Sequence, residues 1–379
     1  MAEIVRRSAP ARAAYLITND AENAIVALPI NSDGTLSKGI VTATGGKGSN
    51  VLIPGGTAKQ APDALVAQAS LVLVGNNIFA VNPGSNSLSM LEISAHDSLK
   101  LTIVGKPAAL PGDFPNTVAV SEKHKLACVG LTGAKAGISC APYSSKGLGP
   151  MDDLRPFDLN QTTPPVGKFN TVSQTFFNAD ETKLFTTVKG GQNATQPGFF
   201  SVFRVDGGGK LGRNDVRSSP DGTQILFGST LIPGSPNKVF ATDRSFGAVI
   251  LSIDPQTDIA TTIAKGVIPG QLATCWSIVS PATHSAFTTD GSLDRVVEMS
   301  LTDASVISDT ELRNNDPGLL EVAAAGDFLY TLSAGNTTHQ AAVTVLDVSG
   351  GQGSTKQIQH IQLGDMGVDE NCEGMVLLK

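Results

Sequence analysis

Two asparagines stand in nearly the same setting, Asn116 in FPNTV from Phe114 and Asn170 in FNTV from Phe169. Carboxamides placed in this way can donate to one ligand oxygen, or each can tie down its own turn. The single tryptophan, Trp276, follows Cys275 in TCWSIV. Its indole can pack in a core or offer a face to a planar ligand. Cys128 and Cys140 can face each other across one hairpin, either as a disulfide or as two buried thiols. A bond between Cys275 and Cys372 would have to reach across a channel mouth. No CxxC or HxxxH occurs and the five histidines are dispersed, so the spacing offers no zinc signature, and neither metal nor cofactor is expected. The Gly-rich passage from Gly45 (GGKGSN) to Ile53 (IPGGTAKQAP) lacks the Lys-Ser/Thr ending and following helix of a phosphate cradle, and reads as a surface loop.

The elements that must position these residues are legible from one stretch, Trp276 to Leu301. It holds three β-rich runs separated by a Ser-Pro turn and an Asp-Gly turn, with SVISDTEL from Ser305 as a fourth, more polar strand. That is one four-stranded antiparallel blade of a propeller. With the second strand as ruler, the unit recurs as LITN at Leu16, FAVN at Phe79, ACVG at Ala127, FTTV at Phe185, FATD at Phe240, FTTD at Phe287 and YTLS at Tyr330. The fold class predicted is therefore all-β, a seven-bladed propeller over residues 1–379, with 1–12 as a disordered or remnant N-terminal segment.

First strands precede the rulers as LVLV (Leu71), TVAV (Thr117), TVSQ (Thr171), ILFG (Ile225), WSIV (Trp276) and LLEV (Leu319), but nothing comparable precedes Leu16. The C-terminal GMVLLK, Gly374 to Lys379, is such a strand without a blade. It is predicted to close the ring as the innermost strand of the N-terminal blade. The longest step between rulers, 63 residues from Leu16 to Phe79, and the others above a compact blade are assigned to surface connections. Pro150 to Asn170 is long enough to be a lid.

In a propeller, the heads of the innermost strands and the loops between second and third strands share one face and ring the channel mouth. That ring contains Asp113 to Asn116, Lys168 to Asn170 with Phe169, Gln271 to Trp276 with Thr274 and Cys275, Asp316, and Asp369 to Glu373. The inter-strand loops add Asn19, Asn82, Lys135, Lys189, Gln192, Asp243, Arg244, Asp290, Asp294 and His339. Asn19, Asn82, Asp243 and Asp290 occupy equivalent strand ends, where local turn hydrogen bonds are the expected role and a calcium site is the alternative.

A net charge of −7 with scattered Lys and Arg argues against a nucleic-acid partner. No run approaches 18 apolar residues, so no membrane span is expected. The N-terminal MAEIVRRSAPARAAYL has no apolar core of a signal peptide, so the chain is either intracellular or secreted with its leader removed, and a secreted or vesicular location is the expectation. Sequons at Asn160, Asn193 and Asn336 occur at chance frequency and do not decide it.

The repeat, the stretch GNNIFAVNPGSNSLSMLEI from Gly75, the SPDG turn at Ser219 and TCWSIVSP from Thr274 resemble the lactonase-like seven-bladed propeller family, in its fungal, carboxymuconate-cyclase-like branch. The resemblance implies His and Arg at the heads of innermost strands with a nearby Glu. At the matching places this chain has Asn116, Phe169-Asn170 and Lys189-Gly190. It is also similar to propellers of fungal secondary metabolism that act as hetero-Diels-Alderases in tropolone sesquiterpenoid biosynthesis. That likeness implies a cofactor-independent pericyclase joining an ortho-quinone methide to a terpene alkene. Asn116, Asn170, Gln271 and Lys189 would be the donors, with Trp276, Phe169, Thr274, Cys275, Glu373, Asn19 and Asn82 around apolar or aromatic substrates. Lactone hydrolysis or cycloisomerisation is the alternative, and a non-catalytic binding propeller the third.

Overall fold

The computed structural model describes residues 11–191 and 196–379. The N-terminal segment expected over 1–12 falls largely outside these residues, as do Gln192 and the sequon at Asn193. The strands fall into seven antiparallel sheets, five of four strands and two of five. The only helical segments among the described residues are the short 3₁₀ turns Pro83–Ser85 and Gly364–Met366.

From blade 1 to blade 7 the innermost strands are Glu373–Leu378, Leu71–Val74, Pro115–Ser121, Val172–Phe177, Leu226–Leu231, Thr274–Val279 and Val322–Ala325. Seven strands converging on one axis leave little room for bulk: the innermost strand of blade 7 is VAAA, while blades 5 and 6 bring Phe227 and Trp276 there. Gly228 shows how tight this is: a Cβ there would overlap Gln68 Oε1 and the Cys275 carbonyl. Second strands carry the bulk. Phe79, Phe185, Phe240, Phe287 and Tyr330 are all buried and pack between neighbouring blades, where large aromatic area contributes most to burial.

Ring closure follows the expected scheme. The C-terminal Glu373–Leu378 pairs antiparallel with Ala13–Ile17, with Ala13 opposite Leu378 and Tyr15 opposite Val376. Blade 1 therefore runs, from outside to inside, through Ile40–Ala43, Ala24–Pro29, Ala13–Ile17 and Glu373–Leu378. The polar outer strand of blade 6 lies at Val306–Glu311. In blade 7 the first strand begins later than the sequence suggests, at Val322, because Leu319 N instead bonds Asp290 O of blade 6 at 2.9 Å.

Cys128 and Cys140 are bonded as a disulfide across the hairpin of blade 3, as an in-register pair with Cα atoms 4.0 Å apart. Cys275 and Cys372 are free and buried. Part of the Pro150–Asn170 connection forms an outer strand instead of a lid. Arg155–Pro156 pairs with Gly137–Ile138 of the third strand, and the nearly buried Arg155 reaches the carbonyls of Leu211 and Gly212 in blade 4, at 2.8 and 2.5 Å.

Candidate active site on the closed channel

The connection from blade 1 to blade 2 does not stay on the surface. After crossing the top face, Asp63 to Ser70 (DALVAQAS) descends the axis, and Ala64 to Ala67 are completely buried. Inner strands on nearly every side hold this segment. Leu65 N donates to Glu373 Oε1 of blade 1 at 3.2 Å and Leu65 O accepts Asn116 Nδ2 of blade 3 at 3.2 Å. Val66 O accepts Lys189 Nζ at 2.5 Å, and Ala67 O accepts Trp276 Nε1 at 3.2 Å. Gln68 exchanges two bonds with Ser277 of blade 6, and Ala69 N donates to Glu321 Oε1 of blade 7 at 3.2 Å. Asp63, Val66 and Ala69 have φ of 70°, 48° and 65°. Left-handed backbone is uncommon for a β-branched residue such as Val66, and conformations of this kind cost of order 1–3 kcal/mol each. The surrounding hydrogen bonds offset that cost.

The plug redirects four of the residues expected to meet substrate. Asn116, Trp276, Glu373 and Lys189 all bond its backbone, and the first three are completely buried. Asn116 Nδ2 also holds Val172 O at 2.7 Å. Asn116 and Asn170 do not converge on one point.

Above the plug lies a small chamber lined by Asp63, Val66, Lys189, Phe227, Cys275 and Trp276, among others. Its cavity is about 10 Å³, which is room for one water molecule. Phe227 and Trp276 meet edge to face with centroids 4.9 Å apart. The Lys189 ammonium sits 4.4 Å from the Phe227 ring centroid and donates to Val66 O and, at 3.2 Å, to Ser173 Oγ. Burial disfavours its charged form and pulls its pKa down to about 7. Burial pushes the Cys275 thiol up, so it stays protonated. Asp63 pairs with Lys168 at 3.2 Å, which raises the Lys168 pKa, while Asp63 Oδ1 is buried without a partner.

Lys168, Phe169 and Arg244 line this chamber and also an outer cleft of about 550 Å³ on the top face. Gln60, Asn160, Gln161 and Asn170 add carboxamides to the cleft wall. The cleft's sides are the two long connections, joined where Leu52 bridges Val166. Asn170 is half-buried with φ 52°, and its N–H donates to Gly190 O at 3.2 Å. The Asn170 side-chain amide and the Arg244 guanidinium have no hydrogen-bond or ion-pair partner among the described residues. Gln271 acts from behind: its Nε2 donates to Arg244 O at 2.9 Å and its Oε1 accepts Thr274 N at 3.1 Å, fixing the loop that carries Arg244.

Thr274 is buried opposite Asp290 at the head of its strand. Asp290 accepts Leu272, Ala273 and Ser292 N–H groups, and Asp243 accepts those of Gln224, Ile225 and Ser245. Asn19 bonds Ser49 O and Asn23 near its own turn. Asn82 is fully buried and latches blade 1 to blade 2 through Asn23, Thr44 and Ser89. These strand-end residues tie loops together outside the chamber, and among the described residues no group of three acidic, His or Cys side chains is arranged to hold a metal.

Sequence reasoning missed Asp63 and the plug. The signals were present: the step from blade 1 to blade 2 is the longest, and its last part, ALVA, is apolar with no turn residue.

Fold and site together define a seven-bladed propeller with a blocked axis and a cation-lined cleft over one mouth. Solved structures with this architecture include the periplasmic gluconolactonase of Pseudomonas aeruginosa, 14% identical, with a TM-score of 0.66 over 97% of this chain and 99% of that one. A protein from Lactobacillus plantarum is 14% identical, with a TM-score of 0.68 over the same shares. A candidate 6-phosphogluconolactonase from Bacteroides fragilis is 12% identical, with a TM-score of 0.64 over 100% of both chains. At these identities the likeness is one of fold. No family model matches the chain, and no curated protein matches it. No described helix is long and apolar enough to cross a membrane.

Proposed function

We propose that this chain is a lactone hydrolase or lactonising isomerase acting on a small, carboxylate-bearing substrate in the top-face cleft. One observation carries the reading. In a chain of net charge −7, two cations, Lys168 and Arg244, gather with the amine of Lys189 around one carboxylate, Asp63. Such a cluster attracts an anion. Arg244, with no carboxylate partner among the described residues, suits bidentate capture of the substrate's carboxylate.

Lys189 then supplies the base that the family resemblance assigns to other residue types. In its neutral form the amine keeps two N–H bonds, to Val66 O and Ser173 Oγ, and has a lone pair for a water in the chamber. That water attacks the lactone carbonyl carbon as its proton passes to Lys189 Nζ. The ring C–O bond breaks, and the departing alkoxide oxygen takes the proton back, releasing a hydroxy acid. Lys168 stabilises the developing oxyanion. Propellers described as gluconolactonases share the architecture. The cycloaddition reading is less favoured, because Asn116, Lys189 and Trp276 already bond the plug and the chamber beside Trp276 has room for only one water.

The test is ring opening followed by pH-stat over γ- and δ-lactones with and without a carboxylate. Turnover should favour the carboxylated members. Rate should rise with pH through about 7, because Lys189 must lose its proton to act. Lys189→Met should lower kcat by roughly 10²–10⁴. Arg244→Ala should raise KM for carboxylated lactones by about 10-fold or more and leave neutral ones unchanged. Indifference to the carboxylate, or a K189M variant with full kcat, would overturn the reading. Stereoselective cycloaddition in the same preparation would restore the pericyclase.

A further inference from the structure

Below the plug, at the far end of the axis, the channel opens again as a funnel of about 280 Å³. It lies outside the site already described, on the opposite side of Gln68 and Ala69. Its walls are apolar, from Val72, Leu73, Ile278, Ala324, Met375 and Leu377 of the inner strands. Its ceiling is polar and includes Glu321, only 3% exposed. One oxygen of Glu321 accepts Ala69 N, and the other has no hydrogen-bond partner among the described residues. A carboxyl at the head of an apolar funnel is costly to bury unless something pairs with it.

From the geometry, we infer that this funnel is a second ligand site for a small apolar ammonium, a protonated alkylamine whose charge meets Glu321 and whose chain fills the walls. The charges that act on Glu321 decide the sign. Asp63 of the plug and Glu373 of blade 1 act on it electrostatically, and both are acidic. Lys168 reaches this group of carboxyls only through its pair with Asp63. Lys379 stands at the funnel rim, where water screens it. An anion would meet the Glu321 carboxyl, and a neutral alkane would leave Glu321 without a partner. Burial raises the Glu321 pKa to about 8, so capture of an ammonium near pH 7 displaces its proton to solvent. The size suits a single short chain, since the funnel is at the lower end of ligand pockets.

The experiment is isothermal titration of the full chain at pH 7 with n-hexylamine and with 1-hexanol, in two buffers of different ionisation enthalpy. Hexylamine should bind at least 10-fold more tightly than hexanol and release up to one proton. Glu321→Gln should weaken hexylamine at least 10-fold, remove the proton release and leave hexanol unaffected. Val72→Phe, which narrows the funnel at a half-buried wall position, should weaken both. Equal affinity for the two probes, hexylamine binding without proton release, or no binding of either to the wild-type chain would overturn the assignment. The wild-type proton count decides the matter even if a variant fails to fold.

Discussion

Asn116 and Lys189 show how one kind of contact, a bond to the plug, can serve different ends. Both donate to a buried carbonyl of the axial segment. Asn116 has no exposed surface and lines neither the chamber nor the cleft, whereas Lys189 lines the chamber. Asn116→Ala should therefore cost stability and leave turnover intact. It strips donors from the buried carbonyls of Leu65 and Val172, a loss of about 1–3 kcal/mol. Thermal unfolding and lactone turnover on the same preparation check this. An unchanged melt with lost activity would return Asn116 to the catalytic set proposed from its sequence context.

The decisive elements are the two segments that converge on the axis, the plug and the C-terminal strand. Residues 374–378 belong to the innermost strand of blade 1, and Met375, Leu377 and Leu378 are buried in it. Glu373, just before them, holds Leu65 of the plug. Deleting 374–379 exposes an unpaired edge and empties several core positions, each worth about 2–5 kcal/mol. Loss of more than about 5 kcal/mol is expected from these core terms together, read as a large drop in melting temperature or failure to accumulate folded protein. A truncated chain that melts within a degree or two of the intact one would contradict this closure.

Across the whole molecule, the buried ionisable groups on the axis give stability an unusual pH dependence. Glu321 has its folded pKa raised to about 8, so the folded state binds the proton more tightly. Its contribution is complete below the ordinary Glu pKa and is lost as pH rises toward 8. Glu373 is shifted in the same direction, by burial first and then by Asp63. Lys189 is lowered to about 7, so the unfolded state binds more protons above that pH, and its contribution to stability grows as pH rises from about 7 toward the ordinary Lys range. Relative to wild type, Glu321→Gln should flatten the fall between about pH 4.5 and 8, and Lys189→Met should flatten the rise above about 7. Chemical unfolding at a series of pH values measures both. Parallel curves for wild type and either variant would show that its group does not titrate as described.

Much of the architecture was determined by sequence-local chemistry. Alternating strands with turn signals between them recur seven times, each blade needs a neighbour to bury its faces, and GMVLLK is left as an unmatched first strand, so the count of seven and the closing strand can be read without coordinates. The Cys128–Cys140 pairing was legible only as a possibility, because hairpin symmetry places the two residues opposite one another but does not decide whether they bond. The ring of mouth residues was legible too, since strand direction alone puts Lys168, Asn170, Lys189, Arg244 and Trp276 at one end. What occupies the axis was not. Asp63 to Ser70 has the composition of a short apolar strand or loop, and its course depends on partners hundreds of residues away, Glu373, Trp276 and Glu321 among them. The same is true of Lys189, whose pKa is lowered to about 7 by burial behind residues from other blades, a property of its surroundings that no local pattern encodes.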